Sequence, residues 1–255
     1  MTDDLLTSGG WPELIRKIRA RTPARVLMGR SGAAYCTSTQ LDLREAHAAA
    51  RDAVRAELSL ETDFDGTFLK RWELFEVCTQ AASKDEYLLR PDLGRRFTEE
   101  SRCRIVSRCP RSMDVQIAIG DGLSVTAVSK QVPALLPALV EGAKERGWSV
   151  CRVFVIRHCR VGILNEIGEL LAPRIAVLLI GERPGLATAE SLSAYMAYRP
   201  KSTHTDADRN LVSNIHVRGV EPRAAATRIL DLAAQMMDRK VSGTQSREDL
   251  PTLEK

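Results

Sequence analysis

The sequence predicts an α/β fold: a Rossmann-like, mostly parallel sheet with flanking helices, preceded by a small, mainly helical amino-terminal domain. Three observations predict it. The run "RIAVLLIG" at Arg174–Gly181 is continuously apolar with no alternation, the pattern of a strand covered on both faces. From Asp114 onward, strand-like and helix-like segments alternate, which calls for parallel pairing through right-handed helical crossovers. The residues before about position 70 are rich in Ala, Arg, Glu and Leu, which favour helix. The division expected is a helical domain over residues 1–70 and an α/β domain over 71–255, with a flexible tail from about residue 242.

The elements follow in chain order. In "WPELIRKIRA" (11–20), Leu14, Ile15 and Ile18 fall at helical spacing and Pro12 suits a first turn. After the loop "GRSGAAYCTSTQ", the segment "LDLREAHAAARDAVRAEL" reads as an amphipathic helix. "ELFEVCT" and "EYLLR" read as two short strands across the polar "QAASKDE". Pro91 then opens a helix through "DLGRRFTEESRCRIVSRC", ended by Pro110. The alternating half comprises "DVQIAIG" (strand), "VPALLPALVEGAKERG" (helix), "VCRVFVIR" (strand), "ILNEIGELL" (helix) and "RIAVLLIG" (strand). "SAYMAYRP" adds a strand and 221–239 a long last helix; "SGTQSREDLPTLEK" has little apolar content and reads as a frayed end.

Composition narrows the function. Of 255 residues 44% are hydrophobic, enough for a sizeable core, and a net charge of +4 with only 5% aromatics gives neither a basic stripe nor an aromatic platform for nucleic acid. No run reaches the ~20 apolar residues of a membrane span, and "MTDDLLTSGG" lacks the basic and apolar regions of a secretory leader. The six cysteines contain no C-x-x-C pair and read as reduced thiols.

Ligands of a parallel sheet sit in the crevice outside the carboxyl ends of its strands. Two strands end alike, in Gly120-Asp121-Gly122-Leu123-Ser124 and in Gly181-Glu182-Arg183-Pro184-Gly185, so both loops are expected on one edge, where glycines allow close backbone approach and Asp121 and Glu182 supply acceptors. No phosphate-cradling glycine fingerprint, H-E-x-x-H, Cys/His cluster or nucleophile elbow is present. His204-Thr205-Asp206-Ala207-Asp208 reads as a solvated polar loop, and Ser191 and Ser193 as capping or packing residues. The polar segment "THTDADRNLVSNIH" adds Asn210, Ser213 and Asn214. The set offers hydrogen bonds without an evident nucleophile or acid and base pair, and the expectation is a surface that holds a polar, uncharged ligand. From the residues alone, Glu182 could equally pair with Arg183 at the surface, Val161 belong to the core, and Asp121 cap the helix after Gly122.

The blocks "RPDLGRRF", "DVQIAIGDGLS", "GERPGLATAESLSAYMAYRP" and "DADRNLVSNIH", with the earlier "ARVLMGRSG" and "HAAARDAV", closely resemble the small (light) subunit of ethanolamine ammonia-lyase over roughly residues 24 to 243. The resemblance implies an adenosylcobalamin-dependent lyase that turns ethanolamine into acetaldehyde and ammonia by a radical route. In that family a large TIM-barrel subunit carries the substrate site and catalytic side chains, and the small subunit closes on the lower, dimethylbenzimidazole side of the cofactor. It implies cobalamin contacts at Val161, Glu182 and Leu211, the last departing from a Cys carried by some members, and no catalytic residue or direct metal ligand in this chain. The resemblance further implies that the cofactor keeps its benzimidazole on cobalt, and a sequence without an Asp-x-His-x-x-Gly motif is consistent with that. Members that enter protein-shelled microcompartments carry a longer extension before the "ARV" block, so the expectation is a cytoplasmic protein, with the microcompartment as the alternative. Two rival functions stand beside this one: a cobalamin carrier that takes no part in turnover, and a hydrolase using Asp121 and His204.

Overall fold

The computed structural model describes residues 11–22 and 24–245, so the stretch 1–10 and the tail from 246 lie outside the described residues. The amino-terminal part is helical: α1 (Trp11–Ala20), a two-residue hairpin of β1 (Arg30–Ser31) and β2 (Ala34–Tyr35), then α2 (Thr37–Arg55), α3 (Leu60–Asp63) and α4 (Gly66–Trp72). Leu58, Phe64 and Phe68 from this part pack into the main core. The remaining elements are β3 (Phe75–Cys78), α5 (Lys84–Leu89), α6 (Glu99–Arg108), β4 (Val115–Gly120), α7 (Val125–Glu145), β5 (Phe154–Arg157), α8 (Ile163–Leu171), β6 (Ile175–Gly181), β7 (Leu192–Tyr198), β8 (Asn210–Ile215) and α9 (Pro222–Arg239).

One six-stranded sheet organises the molecule in the order β3-β5-β4-β6-β7-β8. The first four strands are mutually parallel; β7 runs antiparallel to β6, and β8 antiparallel to β7. All of β4 and β6 is buried, because helices cover both faces: Ile117, Val155 and Leu179 face α7 and α9, while Ala118, Phe154 and Leu178 face α6 and α8. β4 leads through α7 to β5 on one side, and β5 returns through α8 to β6 on the other. The crossovers part over the carboxyl end of β4, which opens a crevice there.

Three segments differ from the sequence reading. "EYLLR" lies mostly in helix α5: the Ser83 hydroxyl accepts from the Glu86 N–H at 3.2 Å and the Glu86 carboxylate accepts from the Ala82 N–H at 2.8 Å, so capping outweighs a short apolar run. The helix expected from Pro91 is broken. A 3-10 turn at Leu93–Arg95 precedes an extended stretch whose Gln80–Arg96 and Thr98–Cys78 backbone bonds extend the pairing beyond β3, and α6 starts only after the Thr98 cap. The polar "NLVSNI" is strand β8, unreadable by apolar content because it is the sheet's edge and only Val212 and Ile215 are buried. Helix α7 also begins earlier than its apolar core suggests, at the Ser124 cap, and carries Pro133 and Pro137 in its interior.

Candidate functional site

The loops after β4, β5 and β6 meet at the carboxyl edge of the sheet. The Leu123 N–H donates to the Gly181 carbonyl at 3.1 Å, which places the two glycine-bearing loops side by side as expected. Contact is so close that a Cβ on Gly181 would overlap the Ser124 carbonyl and one on Gly122, at φ +57°, would overlap the Gly181 carbonyl.

Asp121 does not cap a helix; Ser124 does, accepting from the Ala127 N–H at 3.2 Å. The Asp121 carboxylate, 1% exposed, accepts from the backbone N–H groups of His158 at 2.9 Å and Cys159 at 2.8 Å, so it fastens the loop after β4 to the loop after β5. Its charge is balanced by buried Lys84, whose Nζ lies 3.7 Å away, donates to the Gly122 carbonyl at 3.1 Å and sits over the Tyr87 ring. Tyr87 donates its hydroxyl to the Cys159 carbonyl at 3.0 Å, and its ring carries the Arg160 guanidinium at 4.1 Å. Burial, and then the charge of Asp121, push the Tyr87 phenol well above its ordinary range, so it stays a donor. This group holds His158 in a left-handed conformation (φ 56°) and turns Arg160 and Val161 toward the crevice.

Glu182 makes no ion pair with Arg183. Its carboxylate accepts from the Ser191 and Ser193 hydroxyls, each at 2.6 Å, and from the Asn214 N–H at 2.9 Å. The register between β7 and β8 shifts at this point: Leu192 pairs Ile215 and Ala194 pairs Val212, so Ser213 and Asn214 together oppose Ser193. The glutamate supplies the acceptor that the bulged edge strand lacks, with Asn214 at φ 60°. Ser191 and Ser193 are therefore partners of Glu182 and not merely packing residues.

The result is a cleft of about 190 Å³ whose lining includes Leu123, Arg160, Val161, Ile180, Glu182 and Tyr195. Val161 and Glu182 are brought together in it. Leu211, 44% exposed, stands outside this cleft on β8, directly across from Tyr195 on the same face of the sheet. Tyr195 is half-buried, and burial followed by the nearby Glu182 charge raises its phenol pKa. The Nε of Arg160 is buried with no partner in the protein, a donor left over at the cleft wall. His204 and Asp121 are not brought together: His204 lines a neighbouring cavity and Asp121 is consumed below the cleft floor. In the loop 204–208, Thr205 and Asp208 form a capping box.

Sequence reasoning missed Lys84, Tyr87, Arg160 and Tyr195, whose roles depend on contacts between distant segments; Ser83 three residues before Glu86 was the one legible sign that Tyr87 sits on a helix. Among the described residues no group of three or more His, Cys, Asp or Glu is placed to hold a metal ion, and no helix is long and apolar enough to cross a membrane.

A family model described as ethanolamine ammonia-lyase light chain (EutC) matches residues 12–247 of the chain. The ethanolamine ammonia-lyase small subunit of Clostridium perfringens is 42% identical over 231 residues, spanning 91% of this chain and 76% of the relative. That of Clostridioides difficile is 42% identical over 226 residues, 89% of this chain and 75% of its own length. That of Clostridium acetobutylicum is 39% identical over 235 residues, 92% of this chain and 95% of its own.

Proposed function

The chain belongs to the ethanolamine ammonia-lyase light-chain family, and from that membership we propose that it is the small subunit of an adenosylcobalamin-dependent ethanolamine ammonia-lyase. In this reading it closes on the lower, dimethylbenzimidazole side of the cofactor while a large TIM-barrel partner holds ethanolamine and the catalytic side chains. The bound cofactor supplies radical chemistry through homolysis of its cobalt–carbon bond, for conversion of ethanolamine to acetaldehyde and ammonia.

The observation that carries this reading is the cleft at the carboxyl edge. A corrin ring is rimmed with neutral amides, so its seat needs acceptors and donors set into an apolar wall. The residues fit that requirement: Leu123, Val161 and Ile180 form the wall, Glu182, Ser193 and Tyr195 carry polar atoms, and Arg160 keeps a buried, unpartnered N–H. We assign cofactor contact to Val161 and Glu182 in the cleft and to Leu211 beside it, the last through packing of its exposed side chain against the cofactor's edge. The role of this chain is to bind, orient and exclude water. Glu182 spends its charge on holding β7 and β8 in place and offers its one remaining lone pair, on Oε2, to an amide.

The test is acetaldehyde formation from ethanolamine with adenosylcobalamin, comparing this chain alone, a large-subunit homologue alone, and both co-expressed. Activity only in the mixture is expected. An assembled but inactive mixture would displace the subunit reading in favour of a cobalamin carrier, and activity of this chain alone toward an ester or amide would restore the hydrolase.

A further inference from the structure

Next to the cleft lies a second cavity, of about 420 Å³, whose lining includes Arg95, Arg96, Asn165, His204, Asp206 and Arg209. The Arg209 side chain is 4% exposed, and although it pairs with Asp206 and donates to Asn165 Oδ1 at 3.1 Å, its Nε has no partner. The Nδ1 of His204 is likewise buried without a partner. Burial and the positive charge of Arg95 draw the Arg209 pKa below its ordinary value even though Asp206 opposes them. A desolvated guanidinium with an unused N–H is a donor waiting for an acceptor.

Carboxylates also line this cavity, and each is already engaged. Asp92 accepts from Arg90 at 3.0 and 2.7 Å, Glu166 accepts from Arg102 at 2.9 Å and from the Phe97 N–H at 2.6 Å, and Asp206 pairs with Arg209. Arg90 and Arg102 stand outside the lining and bring their own positive charge. Arg95 and Arg96 are exposed and bond to no carboxylate among the described residues. Arg102 is also shared with Glu99 at 3.6 Å, and Arg95 and Arg96 are the guanidiniums of the lining that pair with no carboxylate among the described residues. The cavity lining also includes Gly162, the N-cap of α8, which has no side chain of its own, so the Arg95 side chain packs directly against it.

We propose that this cavity binds a phosphate group, held by Arg95, Arg96 and the free edge of Arg209. Guanidinium forks contributed by two chain segments match phosphate oxygens. The source of the phosphate rests on the proposed function. Val161 lines the cleft and the next residue, Gly162, lines the cavity, while Tyr195 lies within the fields of both Glu182 and the Asp206–Arg209 pair. A cofactor seated in the cleft has one peripheral group that is negatively charged, the phosphodiester of its nucleotide arm, and the cavity is where that group goes. The other source of the same chemistry is free inorganic phosphate.

Equilibrium dialysis of the full chain against radiolabelled inorganic phosphate at low salt tests the site without any turnover. Saturable binding is expected, weakened about tenfold or more in Arg96→Gln and in Arg209→Gln. Arg96 is exposed, so its variant remains informative if the buried Arg209 variant fails to fold. Absence of saturable binding to the wild-type chain, or equal binding by Arg96→Gln, overturns the site. Displacement of bound phosphate by cobalamin but not by cobinamide, which lacks the nucleotide and its phosphodiester, assigns the phosphate to the cofactor. Equal displacement by both, or by neither, overturns that source and leaves a site for free phosphate. Phosphate binding in a chain that fails the lyase test separates the failure of the two readings.

Discussion

Replacing Glu182 tests whether the carboxylate is the clasp of the β6, β7 and β8 ends. It accepts three hydrogen bonds, at 2.6, 2.6 and 2.9 Å, and bonds to an ionised group contribute about 1.5–3 kcal/mol each. The two serine donors are 8% and 2% exposed, so Glu182→Ala leaves them without acceptor or water. The Asn214 N–H, on an exposed residue, regains water and is discounted. Two bonds at the lower figure give a loss of about 3 kcal/mol. Glu182→Gln keeps one carbonyl oxygen and the side-chain volume, and the serine hydroxyls can rotate, so about 1 kcal/mol is expected. The assay is equilibrium urea unfolding followed by far-UV circular dichroism; with m about 3 kcal/mol/M for a chain of this size, the alanine midpoint falls by about 1 M. A double-mutant cycle with Ser191→Ala isolates the pair, with a coupling of about 1.5 kcal/mol expected. Midpoints within about 0.2 M of wild type for Glu182→Ala, or additivity of the two substitutions, would refute the clasp.

Gly181→Ala is expected to cost about 1–3 kcal/mol, because its Cβ would overlap the Ser124 carbonyl, whereas Gly185→Ala, with only the Ala187 nitrogen 4.0 Å away, should be near neutral; thermal unfolding of the two compares them directly. Asp114, below the sheet, accepts from the Ser149 N–H and hydroxyl and from Arg174, and the Ser149 backbone bond chiefly holds its pKa below 3.8. A depressed carboxylate contributes stability above its unfolded value that disappears as pH falls through the folded one, so Asp114→Asn should destabilise at pH 7 and cease to differ from wild type well below 3.8 in pH-dependent urea melts. The Cys36 thiol, hydrogen-bonded first by Ser38 and then by Thr39, is lowered to about 7, and the rate of iodoacetamide alkylation at this residue should rise with pH through a midpoint near that value. Ser38→Ala should move the midpoint upward; an unmoved midpoint assigns the shift elsewhere.

The sequence by itself determined that a sheet is sandwiched between helices and that its carboxyl edge carries the loops of interest. Both facts are local: an unbroken apolar run such as Ile175–Ile180 has no polar face to expose, and the glycines after β4 and β6 sit directly beside their strands. It also carried the ordered blocks that mark the family. Tertiary structure alone decided what Glu182 holds, because Ser193 and Asn214 become its partners only when a two-against-one bulge sets β8 against β7. Tertiary structure alone likewise placed Tyr87 beneath Arg160, 73 residues along the chain, and closed Arg95, Arg96 and Arg209 around one cavity. Such contacts join segments whose spacing has no period, so neither propensity nor hydrophobic pattern encodes them; only the folded chain, with its loops brought to one edge, decides which charges are neutralised and which are left free to meet a ligand.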